Sequence, residues 1–164
     1  MDEDKINKLP PDVKKQFIKY ALKLSEKKKK TKVNDDFLTF VKHVWPEFIE
    51  GRHHKEIADK FNDIANKKIK RLIINMPPRH TKSEFASFLL PAWMVGRRPN
   101  LKIIQTTHTT ELAIRFGRKA KTLMDSQEYK EVFDTRLRED SQAAGKWETE
   151  QGGEYYAAGV GSAI

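Results

Sequence analysis

The sequence predicts an α/β fold: a parallel sheet with flanking helices, preceded by N-terminal helices. Three observations lead there. Leu72, Ile73 and Ile74 form a continuous apolar run ending in a tight loop, the pattern of a strand buried on both faces of a parallel sheet. A second apolar run, Leu101–Thr107, follows after one helix-length of chain. Helical periodicity comes after each run, so strand–helix–strand–helix alternates with short connections, as right-handed crossovers require.

The elements follow in order. Val13, Phe17, Tyr20, Ala21 and Leu24 recur at helical spacing and predict an amphipathic helix over 10–26. Pro10 and Pro11 stand at its start, where a missing N–H costs little. KKKKTK then reads as a linker, so residues 1–33 form a basic N-terminal helix and linker and 34–164 the main domain. Asn34 is placed to cap the next helix, with Asp35 and Asp36 in its first turn. Phe37, Phe40, Val41 and Val44 give that helix its stripe, and Pro46 stops it. A third helix is expected from His53 to Asn66, with His54, Ile57, Ala58, Phe61, Ile64 and Ala65 on one face.

The first strand is expected over Ile69–Asn75. The helix after the loop buries Phe85, Phe88, Leu89 and Trp93. Pro91 should kink it or end it early, with Gly96 and Pro99 closing the element. After the strand Leu101–Thr107, Thr109 or Thr110 caps a helix carrying Leu112, Ile114, Phe116, Ala120 and Leu123. Tyr129, Val132 and Phe133 suggest one short helix, and the polar residues 135–146 a loop. Trp147–Gln151 and Glu154–Ala158 read as a hairpin, with Gly152–Gly153 supplying positive φ at the turn.

Composition bounds the function. The chain has 164 residues, of which 38% are apolar, enough for one core rather than two. Without cysteine there is no disulfide framework and no thiolate metal site. No apolar run approaches the ~20 residues that span a bilayer. MDEDK at the start is charged and lacks an apolar h-region, so no signal peptide is expected and the compartment is cytoplasmic. The net charge is +9, yet residues 1–32 hold 11 Lys against 5 acidic residues. The basic excess is therefore mostly a property of that segment. Lys27–Lys30 is either a solvated stretch or a nonspecific phosphate contact.

Chemistry concentrates in Lys70–Ser83, KRLIINMPPRHTKS. An apolar strand, a tight loop, a lysine and a hydroxyl residue opening a helix are the layout of a phosphate-binding loop. Backbone N–H groups and the helix N-terminus face the phosphates, the lysine neutralises them, and the hydroxyl holds magnesium. Met76 and Thr81 stand where G-x-x-x-x-G-K-[ST] has glycine. If the loop needs positive φ at Thr81, threonine is a costly occupant. Pro77 and Pro78 would stiffen the loop, though they donate no N–H.

PPRHTKSE after an apolar strand, with GRHHKEI upstream and KIIQTTHTTELAIRFGRKAK downstream, resembles the large terminase subunit of tailed bacteriophages over roughly Phe37 to Ile164. The resemblance implies a P-loop NTPase-like domain of an ATP-driven DNA-packaging motor. The family's Arg-x-x-Gly-Lys-Ser/Thr loop is matched by Arg79, Lys82 and Ser83, with Thr81 departing at Gly. The ligands implied are ATP and Mg²⁺. Pro78, Arg79, His80, Thr81, Lys82, Ser83 and Glu84 would surround the nucleotide. Lys82 and Arg79 would act on the phosphates, and Ser83 would hold the metal. His54 lies closest to the family's adenine-contacting segment. The implied partners are double-stranded DNA, the small terminase subunit, the portal protein and further copies in a ring, in the cytoplasm of an infected bacterium.

Each assignment has a plainer rival. Lys82 and Ser83 also suit an ordinary helix start, Arg79 a salt bridge, and His53 and His54 a surface-and-core pair. A metal site at the two histidines is not expected, since neighbours on a helix point apart. Thr106, Thr107, His108 and Thr109 end a strand and either line a cleft or simply cap a helix. Arg115, Arg118, Lys119 and Lys121 form either a solvated face or the source of an arginine reaching a neighbouring subunit. After Ser83 no apolar run ends in the paired acids that such an ATPase needs, and no nuclease carboxylate cluster follows. The expected fold is therefore incomplete at its C-terminal end, and the chain alone would bind nucleotide weakly and not turn it over. The alternatives to a motor ATPase are a non-catalytic nucleic-acid-binding module and a protein-interaction domain on the same scaffold.

Overall fold

A computed structural model describes residues 10–161. It divides into two units at Lys32/Val33, each considered by itself. Among the described residues, the first is the start of α1 (Pro11–Asp35). The helix continues through KKKKTK, where a linker was expected. Lysine is a good helix former, and a run of it has no intrinsic reason to break.

In the second unit, α1 ends and α2 (Phe37–Val44) begins at once. Its N-cap is Asp36 rather than Asn34: the Asp36 carboxylate accepts from Thr39 N–H at 2.8 Å. α3 (Arg52–Ala65) buries His54, Ile57, Ala58, Phe61 and Ala65, as its periodicity predicts. Phe37 lies at the centre of the resulting core, against Phe61, Phe85 and Trp93.

Residues 69–75 form no strand. Leu72, Ile74 and Met76 pack on the core while Ile73 is 86% exposed. Alternate residues thus face inward, as in a strand, but an extended backbone becomes a strand only beside a partner. Among the described residues none pairs with it. A helical run follows: α4 (Lys82–Glu84), a π turn (Phe85–Leu89) and α5 (Leu90–Arg97). Pro91 neither ends this run nor stands alone in it. The π turn directly before it, where Leu90 N–H reaches Phe85 O, absorbs the missing proline donor.

The sheet has four strands in the order β1 (Lys102–Thr107), β4 (Glu154–Gly159), β3 (Lys146–Thr149), β2 (Leu137–Ala143). It is mixed rather than parallel: β1 and β4 run parallel from Lys102↔Glu154 to Thr107↔Gly159, and the other pairs are antiparallel. β2 occupies part of the stretch expected to be loop. Its composition is polar because it is an outer strand with exposed side chains such as Arg138, which pairs with Asp140 and Glu148. The β3–β4 turn uses positive φ only at Gly152 (83°). Thr149 hydroxyl shapes it, accepting from Gly153 N–H and donating to Pro99 O.

One sheet face is covered by α6 (Thr110–Asp125), capped by Thr109, and α7 (Gln127–Val132) follows, capped by Ser126. The buried stripe of α6 is Ala113, Gly117, Ala120 and Met124, with Ile114 and Leu123 partly buried against the core. Small residues let the helix lie close to Tyr155, which stacks on Trp147 at 4.7 Å. A Cβ at Gly117 would stand 2.5 Å from Ala144 O and 2.8 Å from Tyr155 Cε1. Gly117→Ala should therefore destabilise by about 1 kcal/mol, because overpacking of about 1–3 kcal/mol outweighs a helix-propensity gain of about 1 kcal/mol. A higher urea midpoint in the variant would contradict this close approach.

Candidate functional site

The loop between Met76 and Ser83 is shaped by its own side chains. Lys82 Nζ donates to Met76 O at 2.8 Å, closing the loop on itself. His80 Nδ1 donates to Pro78 O at 2.8 Å. Arg79 (φ 63°) and Thr81 (φ 57°) both take left-handed backbone. Thr81 thus takes the positive φ that makes threonine a costly occupant of the motif's glycine position. Each such residue costs about 1–3 kcal/mol and persists only where its surroundings hold it.

At Thr81 the holding group is His54. Gly51 N–H donates to His54 Nδ1 at 2.8 Å, so Nδ1 is the unprotonated nitrogen. His54 Nε2–H then donates to Thr81 Oγ1 at 2.6 Å, and the same hydroxyl donates to His80 O at 2.7 Å. His54 also replaces the Glu or Gln of a capping box at the start of α3. Its ring is 6% exposed, packed against Phe48 at 4.8 Å and Phe85 at 5.2 Å.

Burial lowers the His54 pKa below its ordinary 6.5, helped by His53 and His80 and opposed by Glu50. The unfolded chain therefore takes up this proton more readily than the folded one, and stability falls as pH drops below 6.5. His53 and His54 do not point apart: their ring centroids lie 3.8 Å from one another, and His80 lies 5.7 Å from His53. Both rings lean back over Gly51, following the N-terminal tilt of helical side chains. His53 Nε2 is buried without a partner. Among the described residues no group of three ligating side chains is arranged to hold a metal.

Thr81 is the N-cap, but its side chain, turned to His80 and His54, caps no amide of the first turn. The helical run begins with Phe85 N–H on Thr81 O. The N-terminus therefore carries the loop's partial positive charge beside the Lys82 ammonium. Ser83, Arg79 and His80 are exposed, and Arg79 makes no hydrogen bond or ion pair among the described residues. Glu84 instead binds Lys119 at 2.8 Å through both carboxylate oxygens, and Lys119 also sits over Phe88. This half-exposed pair fixes α4 to α6 at a gain of no more than about 1 kcal/mol.

Other candidates are spent locally. Thr109 caps α6 and Thr107 hydroxyl donates to Thr109 O. Arg115 and Arg118 lie exposed on α6, beside Phe88 in a groove of about 450 Å³. The His54–Thr81 link was not legible from the sequence, because it joins residues 27 positions apart through a side chain that no spacing rule singles out. No family model, curated protein or solved structure matches the chain.

Proposed function

We propose that Met76–Ser83 binds the phosphate chain of a nucleoside triphosphate. The chain would then be the ATP-binding part of a viral DNA-packaging motor of the terminase large-subunit type, with a P-loop NTPase-like fold. The observation that carries this reading is Lys82: its ammonium lies across the loop mouth on Met76 O, beside a helix start that no side chain caps. An anion there gains the ammonium, the helix N-terminus and the exposed guanidinium of Arg79.

The residues present fit ATP and Mg²⁺. Lys82 would neutralise the outer phosphates, Arg79 would fork onto the γ-phosphate, and Ser83 hydroxyl would help hold the magnesium. Pro78, His80, Thr81 and Glu84 shape the rim, and His54 supports it from below. Bound Mg²⁺ supplies charge neutralisation. Hydrolysis would further need acidic residues at a strand end, and β1 and β4 end in Thr106–Thr107 and Ala158–Gly159. Double-stranded DNA, the small subunit, the portal and a homo-oligomeric ring are the partners such a motor would use, in the cytoplasm of an infected bacterium.

Thermal denaturation with Mg-ATP tests the reading. A ligand at 100 times its Kd stabilises by about 2.7 kcal/mol. The melting temperature should rise with millimolar Mg-ATP, and no rise would sink the proposal. One observation favours a second reading, a nucleic-acid-binding module: the α6 groove sets Arg115, Arg118 and Lys119 around Phe88. That reading predicts salt-dependent DNA binding indifferent to ATP.

A further inference from the structure

We infer that His54 is a positioning residue for the phosphate loop: through the Thr81 hydroxyl it latches the loop in its left-handed conformation, and a proton on Nδ1 loosens the latch by opposing the Gly51 N–H that seats the ring. This deepens the nucleotide reading, since it supplies a control on the same loop.

Three features of the geometry lead there. The hydrogen bonds form one directed chain, Gly51 N–H to His54 Nδ1, His54 Nε2–H to Thr81 Oγ1, and Thr81 O–H to His80 O. Directionality leaves one tautomer that satisfies every member. A proton added to Nδ1 would set two donors, Nδ1–H and Gly51 N–H, against each other. Second, Thr81 sits where a threonine is strained, at φ 57°. Its hydroxyl is what a glycine there would lack, so the unfavourable backbone is offset by a side-chain bond that only Thr or Ser can make. Third, His54 is seated on the core by Phe48 and Phe85, so Thr81 is tethered to a fixed point rather than to another mobile group.

The charged and titratable groups facing His54 are few. His53 lies beside it on α3, and His80 faces it from the loop. Glu50 precedes the helix and is itself held by Lys42 and Lys55. Both histidines oppose a charge on His54 and the carboxylate favours one. With burial on the side of the histidines, the neutral form prevails near neutral pH.

The test is an NMR pH titration of the whole chain without nucleotide, following the His ring nitrogens and the backbone amides of Thr81 and Lys82. We expect His54 in the Nε2–H form with a midpoint below 6.5, and the two amides moving with that same midpoint. Thr81→Ser should retain both signatures. Thr81→Val keeps the shape and drops the hydroxyl, so the Thr81 and Lys82 amides should stop following the His54 midpoint. His80→Gln should leave the coupling in place, because only the His80 backbone carbonyl enters the latch. Amides that ignore the His54 titration in the native chain would overturn the inference, as would a Thr81→Val variant whose Lys82 amide still follows the His54 midpoint. Because no nucleotide is present, failure of the latch and failure of Mg-ATP binding are read separately. If Mg-ATP does bind, its affinity should drop from pH 7.5 to 5.5 more in the native chain than in Thr81→Val.

Discussion

Phe37→Ala is expected to lower the unfolding free energy by about 3–5 kcal/mol, the range for deleting a buried aromatic. Phe37 is fully buried, and its ring meets Phe61 at 5.1 Å, Phe85 at 5.4 Å and Trp93 at 5.4 Å, all near edge-to-face. Such pairs each add about 0.5–1.5 kcal/mol beyond burial. The gain in helix propensity from alanine, at most about 0.7 kcal/mol, is small beside that loss. Collapse of the void is also resisted. Phe37 N–H is bonded to Asn62 Oδ1, so α2 is pinned to α3 by its backbone while the ring is removed.

The same substitution should reach the phosphate loop. Phe37 supports Phe85, Phe85 flanks His54, and His54 holds Thr81. Loss of stability in the core is thereby expected to appear as faster amide exchange at Thr81 and Lys82. Chemical denaturation reads the first effect and hydrogen exchange the second. A loss below about 1.5 kcal/mol would mean that the site relaxes around the smaller side chain, as volume-tolerant cores do. Phe37→Leu, which leaves a smaller void, should lie between the two.

That chain of contacts also marks where sequence reading succeeds and where it stops. α2, α3, α6 and α7 were legible because each carries apolar residues at helical spacing, with Thr109 also offering itself as the cap of α6. β1 and the β3–β4 hairpin were legible from an apolar run and a glycine turn. The failures share one cause, that the deciding partner is distant or absent. Leu72–Ile74 has the composition of a central strand, but pairing needs a neighbour, and none lies beside it among the described residues. β2 is polar and becomes a strand only because β3 offers a ladder. At Pro91 the sequence showed the lost hydrogen bond but not the π turn that absorbs it. In the candidate site, spacing singled out Lys82 and Ser83 and the family resemblance Arg79, and the glycine position of the motif raised the question of positive φ at Thr81, where φ is 57°. What makes that φ tenable, an imidazole from a different helix, is a tertiary contact.

Lys82→Ala should abolish the stabilisation by Mg-ATP while leaving the fold nearly intact. The two effects separate because Lys82 does two things. In the free protein its Nζ donates to Met76 O, a half-buried contact to a neutral carbonyl whose loss costs about 1 kcal/mol. With nucleotide bound, the same ammonium would face phosphate oxygens, where charge-assisted bonds are roughly twice as strong as neutral ones. A ligand at 100 times its Kd that stabilises the native chain by about 2.7 kcal/mol would stabilise one that binds 100-fold more weakly by only about 0.4 kcal/mol. Lys82→Met keeps most of the aliphatic stem and removes the charge, so it should match Lys82→Ala in nucleotide response and exceed it in basal stability. Lys82→Arg retains charge, but its planar fork replaces a compact ammonium, so its nucleotide response should fall between those of the native chain and Lys82→Ala. Paired melting curves with and without Mg-ATP measure both quantities for each variant. A nucleotide response that survives in Lys82→Ala would place the phosphates elsewhere and reduce the Lys82–Met76 contact to a brace for a strained loop.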